Sequence, residues 1–96
     1  MRAPTVYILA SKPYGTLYVG VTSDPIKRVW EHRNNLVEGF TERYGVHRLV
    51  HFERMRSMVE AIEREKELKK WRRAWKIALI EESNPAWGDL WPDISQ

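Results

Sequence analysis

The chain has 96 residues and no cysteine, with 30% charged and 43% hydrophobic residues, five tryptophans and a formal net charge of +3. This length and composition predict one globular domain over residues 1–96 and exclude both a disordered chain and two independently folding domains. Without cysteine neither a disulfide nor a thiolate metal site can form, which fits a reducing setting such as the cytoplasm, and the first apolar run is too short for a signal peptide or a spanning helix, so no membrane role is expected.

The first predicted elements are two β-strands, TVYILA and LYVGVT, joined by SKPYGT, whose proline and glycine indicate a turn. If the loop holds an even number of residues, for instance 12–15, then Ser11 faces Thr16, and Tyr7 and Tyr18 share one face of the sheet. An odd loop places the two tyrosines on opposite faces. Taken alone, each tyrosine is an ordinary core residue.

The next predicted element is a helix that begins after Asp24, a candidate N-cap, with Pro25 at the first helical position. The three-and-four spacing of its side chains predicts a buried stripe formed by Ile26, Val29, Trp30, Arg33 and Val37. Arg28 and His32 lie one turn apart on a flank beside this stripe, at the rim of the core. A guanidinium binds phosphate and an imidazole titrates near neutrality, but an ordinary solvated flank is the alternative.

The segment NNLVEGFTERYG is polar and contains glycine, so it is predicted to be a loop, and VHRLVHFE is predicted to be a third strand. His47 and His51 belong to this strand and its start. Because no histidine and glutamate pair has the spacing of a zinc-binding helix, no zinc site is expected.

A second helix is predicted where Ser57 and Glu60 have the spacing of a capping box. Its apolar positions are Met58, Ala61, Ile62 and Leu68. Glu65 stands in this series where a leucine is expected, and burying a carboxylate is unfavourable unless it is paired or coordinates a cation. The two alternatives are therefore a metal ligand and an ion pair with Lys69, one turn further along.

The last predicted helix carries Trp71, Trp75, Ala78 and Leu79. It should end near ESNP, because Pro85 disfavours a helical conformation at Asn84. No regular structure is assigned to AWGDLWPDISQ. Its two tryptophans are candidates for folding back onto the core or, alternatively, for contacting another protein.

The basic charge is concentrated in the middle of the chain. Residues 27–76 hold 14 basic and 8 acidic side chains, whereas residues 77–96 hold four acidic ones and no basic one. Such clustering suits a polyanionic partner, with the solvated surface of a helix as the alternative. The candidate nucleic-acid-binding residues are Arg28, Lys66, Lys69, Lys70, Arg72 and Arg73.

Taken together and in order, TVYIL, LYVG, IKRVWEH, AIEREKELK and an asparagine before a proline resemble the GIY-YIG nuclease family, in particular its small stand-alone bacterial members. The resemblance covers about residues 4–85 and leaves an acidic, tryptophan-containing tail over residues 86–96. The first motif keeps Tyr7 but has Thr5 and Val6 in place of glycine and isoleucine, which matters little if only the phenol takes part in chemistry.

The resemblance implies an α+β fold, in which a small three-stranded antiparallel sheet is flanked by helices. It also implies metal-dependent cleavage of phosphodiester bonds in nucleic acid. Gly20 matches the end of the second motif, where a missing side chain leaves room close to the sheet, and Asn84 matches an asparagine that ties the end of the chain to the core. The catalytic residues that it implies are Tyr7, Tyr18, Arg28, His32 and Glu65.

In the scheme that the resemblance implies, Glu65 is the single carboxylate that holds one Mg²⁺ or Mn²⁺. Arg28 grips the scissile phosphate, while Tyr7 or Tyr18, helped by His32, positions or deprotonates a water molecule. The choice between the tyrosines stays open, since a phenol is a poor base at neutral pH unless nearby cations lower its pKa.

Two functions of different classes follow. The first is a metal-dependent endonuclease acting on DNA, with structure-dependent or weakly sequence-specific substrate choice and a setting in DNA repair or turnover. The second is a non-catalytic nucleic-acid-binding module that keeps the fold and the basic helices. Neither a protein partner nor an oligomeric state is predicted.

Overall fold

The computed structural model describes residues 3–37 and 39–95. In chain order the elements are β1 (Thr5–Ala10), β2 (Leu17–Thr22), α1 (Pro25–Arg33), α2 (Phe40–Tyr44), β3 (Arg48–Arg54), α3 (Met58–Lys70), α4 (Arg73–Ser83) and α5 (Trp91–Ile94). The strands form one antiparallel sheet in the order β2-β1-β3. The predicted α+β class, with a three-stranded antiparallel sheet flanked by helices, is confirmed. Within the described residues, no helix has the length and apolar character needed to cross a membrane.

The β1–β2 hairpin has the even loop that places both motif tyrosines on one face. The N–H of Ser11 donates to the carbonyl of Thr16 at 3.0 Å, and Leu9 is paired with Tyr18 across the strands. Because Leu9 lies two residues after Tyr7, all three side chains point to the same side. The tyrosine ring centroids are 6.4 Å apart.

The central strand, β1, is buried along its whole length, so each of its faces contributes to a separate core. On the face covered by α3 and α4, the core contains Val6, Ile8, Val19, Val50, Ala61, Leu68, Ile80 and Trp87. On the face covered by α1 and α5, it contains Tyr7, Leu9, Val29, Val46, Leu49 and Ile94. Burial on both faces explains why this strand is a continuous apolar run.

Gly20 of the edge strand β2 leaves room for the side chain of Tyr7, which comes from the central strand β1. It is paired with Tyr7, and a β-carbon at position 20 would lie 2.3 Å from Cζ and 2.4 Å from the hydroxyl oxygen of Tyr7. Carbon atoms that are not bonded pack at about 3.5–4.0 Å, so only glycine fits beneath this ring. The predicted room next to the sheet is confirmed, and it brings a phenol from the middle of the sheet to its β2 edge.

Both predicted helix N-caps are present. Asp24 accepts a hydrogen bond from the N–H of Lys27 at 3.4 Å, and Pro25 is the first residue of α1. The hydroxyl of Ser57 accepts from the N–H of Glu60 at 3.2 Å at the start of α3. These caps satisfy donors that the first turn of a helix leaves free.

The predicted buried stripe of α1 is confirmed at Val29, is only partly buried at Ile26 and Arg33, and is wrong at Trp30. The residues that the helix buries are Pro25, Val29 and His32, whereas Trp30 is half-exposed. The helix also ends at Arg33, so the last position of the predicted stripe lies beyond it. A polar side chain at the core interface, His32, shifted the apparent periodicity, because histidine is not counted as apolar in the pattern.

Two segments that were predicted to be irregular contain short helices. The predicted loop NNLVEGFTERYG contains α2, and the tail contains α5. Helices of one turn do not form from local propensity alone, so they depend on tertiary contacts. Thr41 anchors α2 and Ile94 anchors α5, since both side chains are buried.

The last part of the chain differs from the single helix that was predicted after α3, and its tail packs against the sheet. Trp71 and Arg72 are extended and separate α3 from α4, and α4 buries Ile80 while Trp75 stays half-exposed. Trp71, which packs against the core, therefore lies before α4 and not within the predicted helix, whereas Trp75 lies within α4 and is half-exposed. Trp87, from the tail, is fully buried in the core under α3 and α4.

Asn84 ties the tail to the sheet, as predicted. It is the C-cap of α4, and its amide donates to the carbonyls of Val50 at 3.1 Å and Gly88 at 2.9 Å. The side-chain oxygen accepts from the N–H of Gly88 at 3.0 Å. A single buried amide therefore joins α4, β3 and the tail.

Candidate active site

The structure brings the five predicted catalytic residues together at the β2 edge of the sheet, around the hydroxyl of Tyr7. His32 Nε2 lies 3.0 Å from this hydroxyl, and Tyr18 contributes a neighbouring ring. The charges of Arg28 and Glu65 both act on the ionisation of Tyr7. Tyr7, Tyr18, Arg28, His32 and Glu65 are called the Tyr7 cluster below.

Different elements carry these side chains to one place. Tyr7 comes from β1 and passes over Gly20, while Arg28 and His32 come from α1, which follows directly after β2. Glu65 comes from α3, on which Ala61 and Leu68 are buried. Since Glu65 is four residues after one of these and three before the other, it lies on their side of the helix and is turned towards the sheet.

His32 is fully buried, so the expectation that it rises at the rim of the core is wrong. Its two ring nitrogens have partners: Nε2 lies 3.0 Å from the Tyr7 hydroxyl, and Nδ1 lies 3.0 Å from the hydroxyl of Thr41. These contacts fix the orientation of the imidazole. Thr41 belongs to the site and was missed, because its segment carries no helical pattern and nothing in its local sequence marks it.

The pKa values of the two buried partners are shifted in opposite directions. Burial, together with the positive charge of Arg28, lowers the pKa of His32 to about 4. Burial, together with Tyr18, raises the pKa of Tyr7 to about 12, although Arg28 partly offsets this. At neutral pH the phenol is therefore protonated and the imidazole is neutral. A neutral imidazole accepts at one nitrogen and donates at the other, which gives one continuous chain from Tyr7 through His32 to Thr41.

Arg28 supplies a permanent positive charge on the open side of the cluster. Its side chain is 40% exposed, and its nearest carboxylate is that of Glu31 at 3.4 Å. Burial lowers the pKa of Arg28, but Tyr7 and Glu31 outweigh this, and the pKa is raised overall. The guanidinium borders an open cleft of about 430 Å³ that is lined in part by Thr22 and Lys27. It is thus exposed in a cleft that Asp24 and Glu31 also line, whereas Tyr7 is fully buried and does not line this cleft.

Glu65 is largely buried but not isolated. Its side chain is 14% exposed, and Oε2 lies 3.0 Å from Nζ of Lys69, so the ion pair that was predicted as the alternative is present. Because Lys69 is itself half-exposed, this pair contributes little to stability and can open. A role in metal binding and a pair with lysine are therefore compatible at this position.

The donor set of the cluster fits a hydrated Mg²⁺ or Mn²⁺ held through one carboxylate. Over residues 3–37 and 39–95, no group of three or more His, Asp or Glu side chains is placed to hold a metal ion. Glu65 therefore offers a single carboxylate beside phenol and solvent. Mg²⁺ commonly binds through one or two carboxylates and keeps several waters, which matches this arrangement.

The predicted nucleic-acid-binding residues divide into two groups. Lys66, Lys69 and Lys70 are exposed on α3 within about 100° of arc, on the side next to Glu65. Arg73 donates to the carbonyls of Tyr14 at 2.6 Å and Gly15 at 2.7 Å in the hairpin loop. Arg72 lies over the ring of Trp75 at 5.6 Å. Lys69 thus contacts Glu65 of the cluster, whereas Arg73 already has partners within the chain.

The buried state of His32 predicts a loss of stability in acid. Its pKa is lowered from the ordinary 6.5 to about 4, so between these values the unfolded chain binds a proton that the folded chain excludes. This contribution is present above pH 6.5 and is lost as the pH falls towards 4. We expect it to reduce the free energy of unfolding by about 2 kcal/mol between pH 7 and pH 5.

Urea unfolding of the wild type and of His32→Gln at both pH values measures this effect. Glutamine keeps a donor and an acceptor but does not titrate, so the variant should lose less stability than the wild type on acidification. Equal losses in the two proteins would show that His32 does not carry the effect.

Three comparisons with known proteins bear on the family and the fold of this chain. Residues 3–78, which include the whole Tyr7 cluster, match the model of the GIY-YIG catalytic domain. The UPF0213 protein SSP2268 of Staphylococcus saprophyticus is 35% identical over 77 residues, which cover 80% of this chain and 93% of that protein. The solution NMR structure of the UPF0213 protein BH0048 from Bacillus halodurans is similar with a TM-score of 0.56 and 29% identity, covering 90% of each chain.

Proposed function

Because the chain belongs to the GIY-YIG family, we propose that it is a metal-dependent endonuclease that hydrolyses phosphodiester bonds in DNA. The observation that supports this proposal most strongly is the convergence of a carboxylate, a guanidinium and two phenols at one open edge of the sheet. We further propose that residues 1–96 act as one nuclease domain and that the activity serves DNA repair or turnover in the cytoplasm.

Arg28 binds the scissile phosphate in this proposal. A guanidinium donates two parallel hydrogen bonds to phosphate oxygens and keeps its charge at all relevant pH values. The open cleft beside Arg28 leaves room for the phosphate, and the guanidinium is close enough to Tyr7 to lower the pKa of that phenol. The charge that develops on the phosphate oxygens during attack then lies next to a fixed cation.

Glu65 would hold the divalent ion, whose charge when bound stabilises the oxygen that leaves in hydrolysis. The carboxylate is oriented by burial of its helix face, so it needs little reorganisation. Lys69, which pairs with Glu65 in the structure, would move from the carboxylate towards the substrate backbone. Each of these residues thus places charge where it is needed and transfers no proton.

We assign contact with the attacking water to Tyr18. Tyr7 is fully buried and keeps its proton at neutral pH, while His32, with a pKa of about 4, is a weak acceptor for that proton. Tyr7 and His32 are therefore positioning residues in this scheme. Tyr18 lines an open groove at the β2 edge, where a phenol oxygen can accept a hydrogen bond from water.

Cleavage assays test the proposal. We expect the wild type to cut at least one of supercoiled, single-stranded and branched DNA with Mg²⁺ or Mn²⁺, and to stop when EDTA is added. Arg28→Ala should lower the rate by about 100-fold or more, in line with the removal of one transition-state donor. Arg56→Ala, which removes an exposed arginine outside both the Tyr7 cluster and this cleft, should stay close to the wild type.

The alternative function has a distinct outcome in the same assay. Wild-type protein that binds these DNAs but cuts none of them with either ion would contradict the nuclease and support a non-catalytic binding module. Equal rates for Arg28→Ala and Arg56→Ala would contradict the role of Arg28.

A further inference from the structure

A groove of about 310 Å³ runs along the β2 edge and opens onto the Tyr7 cluster. It is lined by Leu17, Tyr18, Val19, Phe40, Lys69 and Lys76. Tyr18 belongs to both the groove and the cluster, and Lys69, on the groove wall, is paired with Glu65 at 3.0 Å. The groove therefore contains Tyr18, which is proposed to contact the attacking water, and adjoins Glu65, which is proposed to hold the divalent ion. This volume is at the lower end of the range for small-molecule pockets and suits one nucleotide base.

Aromatic rings extend from the cluster into this groove. Phe40 is 45% exposed, and its ring centroid lies 6.1 Å from that of Tyr18, with an angle of 30° between the planes. Tyr44, which is 49% exposed, lies 4.8 Å beyond Phe40. Phe40 lines the groove and is about half-exposed, so the part of its ring that Tyr18 and Tyr44 leave uncovered is available to a base.

Cations complement the rings. Lys69 from α3 and Lys76 from α4 line the same groove as Phe40 from α2, and the apolar side chains in the lining are those of Leu17 and Val19. Aromatic faces for bases and ammonium groups for the backbone are the two features that bind single-stranded nucleic acid without sequence preference. A paired base in a duplex is already stacked and offers no free face unless it is extruded.

We propose that this groove holds one unpaired nucleotide next to the scissile phosphate, with its base stacked on Phe40 and its backbone near Lys69 and Lys76. Nucleic acid with single-stranded character is therefore the substrate class. This inference rests on the proposed nuclease function and adds a substrate to it. The positions of Phe40 and Lys76 carry the inference, and neither belongs to the Tyr7 cluster.

Binding measured without cleavage tests the groove independently. Glu65→Gln protein is titrated into a fluorescent single-stranded oligonucleotide containing 2-aminopurine and into the matched duplex. Phe40→Leu keeps apolar bulk but removes the stacking plane, so affinity for the single strand should fall by about 10- to 100-fold. Phe40→Trp should retain it, and Trp30→Leu, at an exposed tryptophan outside the groove, should leave it unchanged.

The salt dependence of binding tests the charged side of the groove. Lys76→Gln should reduce the slope of log affinity against log salt concentration by about one, the value expected for one lost phosphate contact. Quenching of 2-aminopurine on binding should be strong with Phe40 or tryptophan at this position and weak with leucine, because quenching reports stacking directly.

The outcomes separate this inference from the nuclease proposal. If Phe40→Leu bound the single strand as tightly as the Glu65→Gln protein that it is made in, or if the duplex bound more tightly, the groove proposal would be contradicted even if the wild type cuts DNA. Loss of single-strand binding in Phe40→Leu alone would support the groove even if the wild type cuts nothing, and only the nuclease proposal would then fail.

Discussion

Replacement of Glu65 by glutamine is expected to lower DNA cleavage by about 1,000-fold while leaving the fold and DNA binding intact. Glutamine has the same shape, but its neutral amide is a poor ligand for Mg²⁺, so the charge that stabilises the leaving oxygen is lost. Initial rates on the best DNA substrate, at saturating Mg²⁺ and then Mn²⁺, measure this effect. Glu63→Gln, an exposed change on the same helix, is the matched control and should cut normally.

Two further measurements, of stability and of metal binding, make the Glu65 result specific. Lys69, the partner of Glu65, is half-exposed, so the loss of this ion pair should change the free energy of unfolding by less than about 1 kcal/mol. Mn²⁺ binding, followed by electron paramagnetic resonance, should weaken in Glu65→Gln and persist in Glu63→Gln. Cleavage by Glu65→Gln within a few-fold of the wild type would contradict metal binding at this residue.

Replacement of Gly20 by alanine is expected to abolish most of the activity through Tyr7, without changing any charged residue. The added β-carbon would lie 2.3 Å from Cζ of Tyr7, and this ring is held in a packed core. The ring must move, and its hydrogen bond to His32 is then lost or lengthened. Overpacking of this kind costs about 1–3 kcal/mol in the free energy of unfolding, and we expect cleavage to fall by about 100-fold.

The control for this prediction is Gly88→Ala. Its β-carbon would meet Asn84 Oδ1 at 3.8 Å, an ordinary van der Waals distance, so stability and cleavage should stay near those of the wild type. Absorbance titration of the tyrosines gives a direct readout, because a displaced Tyr7 should lose part of the burial that raises its pKa to about 12. Wild-type activity in Gly20→Ala would mean that the position of the Tyr7 ring is unimportant.

The sequence by itself determined those features that depend on a few neighbouring residues. The hairpin follows from its turn residues, and the caps Asp24 and Ser57 follow from side chains that reach the first turn of a helix. Whether its loop is even or odd was left open by the sequence and is decided by the structure. The roles of Gly20 and Asn84 were expected from the order of family motifs, and their contacts in the structure agree.

Only the tertiary structure decided which residues meet and which are buried. Tyr7 and His32 are 25 positions apart, and their hydrogen bond exists because the ring crosses Gly20 while α1 packs on the same face. Thr41 completes that chain from a helix of one turn, which local propensity cannot stabilise. The exposure of the Phe40 and Trp30 rings could not be predicted from the hydrophobic pattern either. Burial is a property of all the neighbours around a side chain, so periodicity along one element cannot specify it.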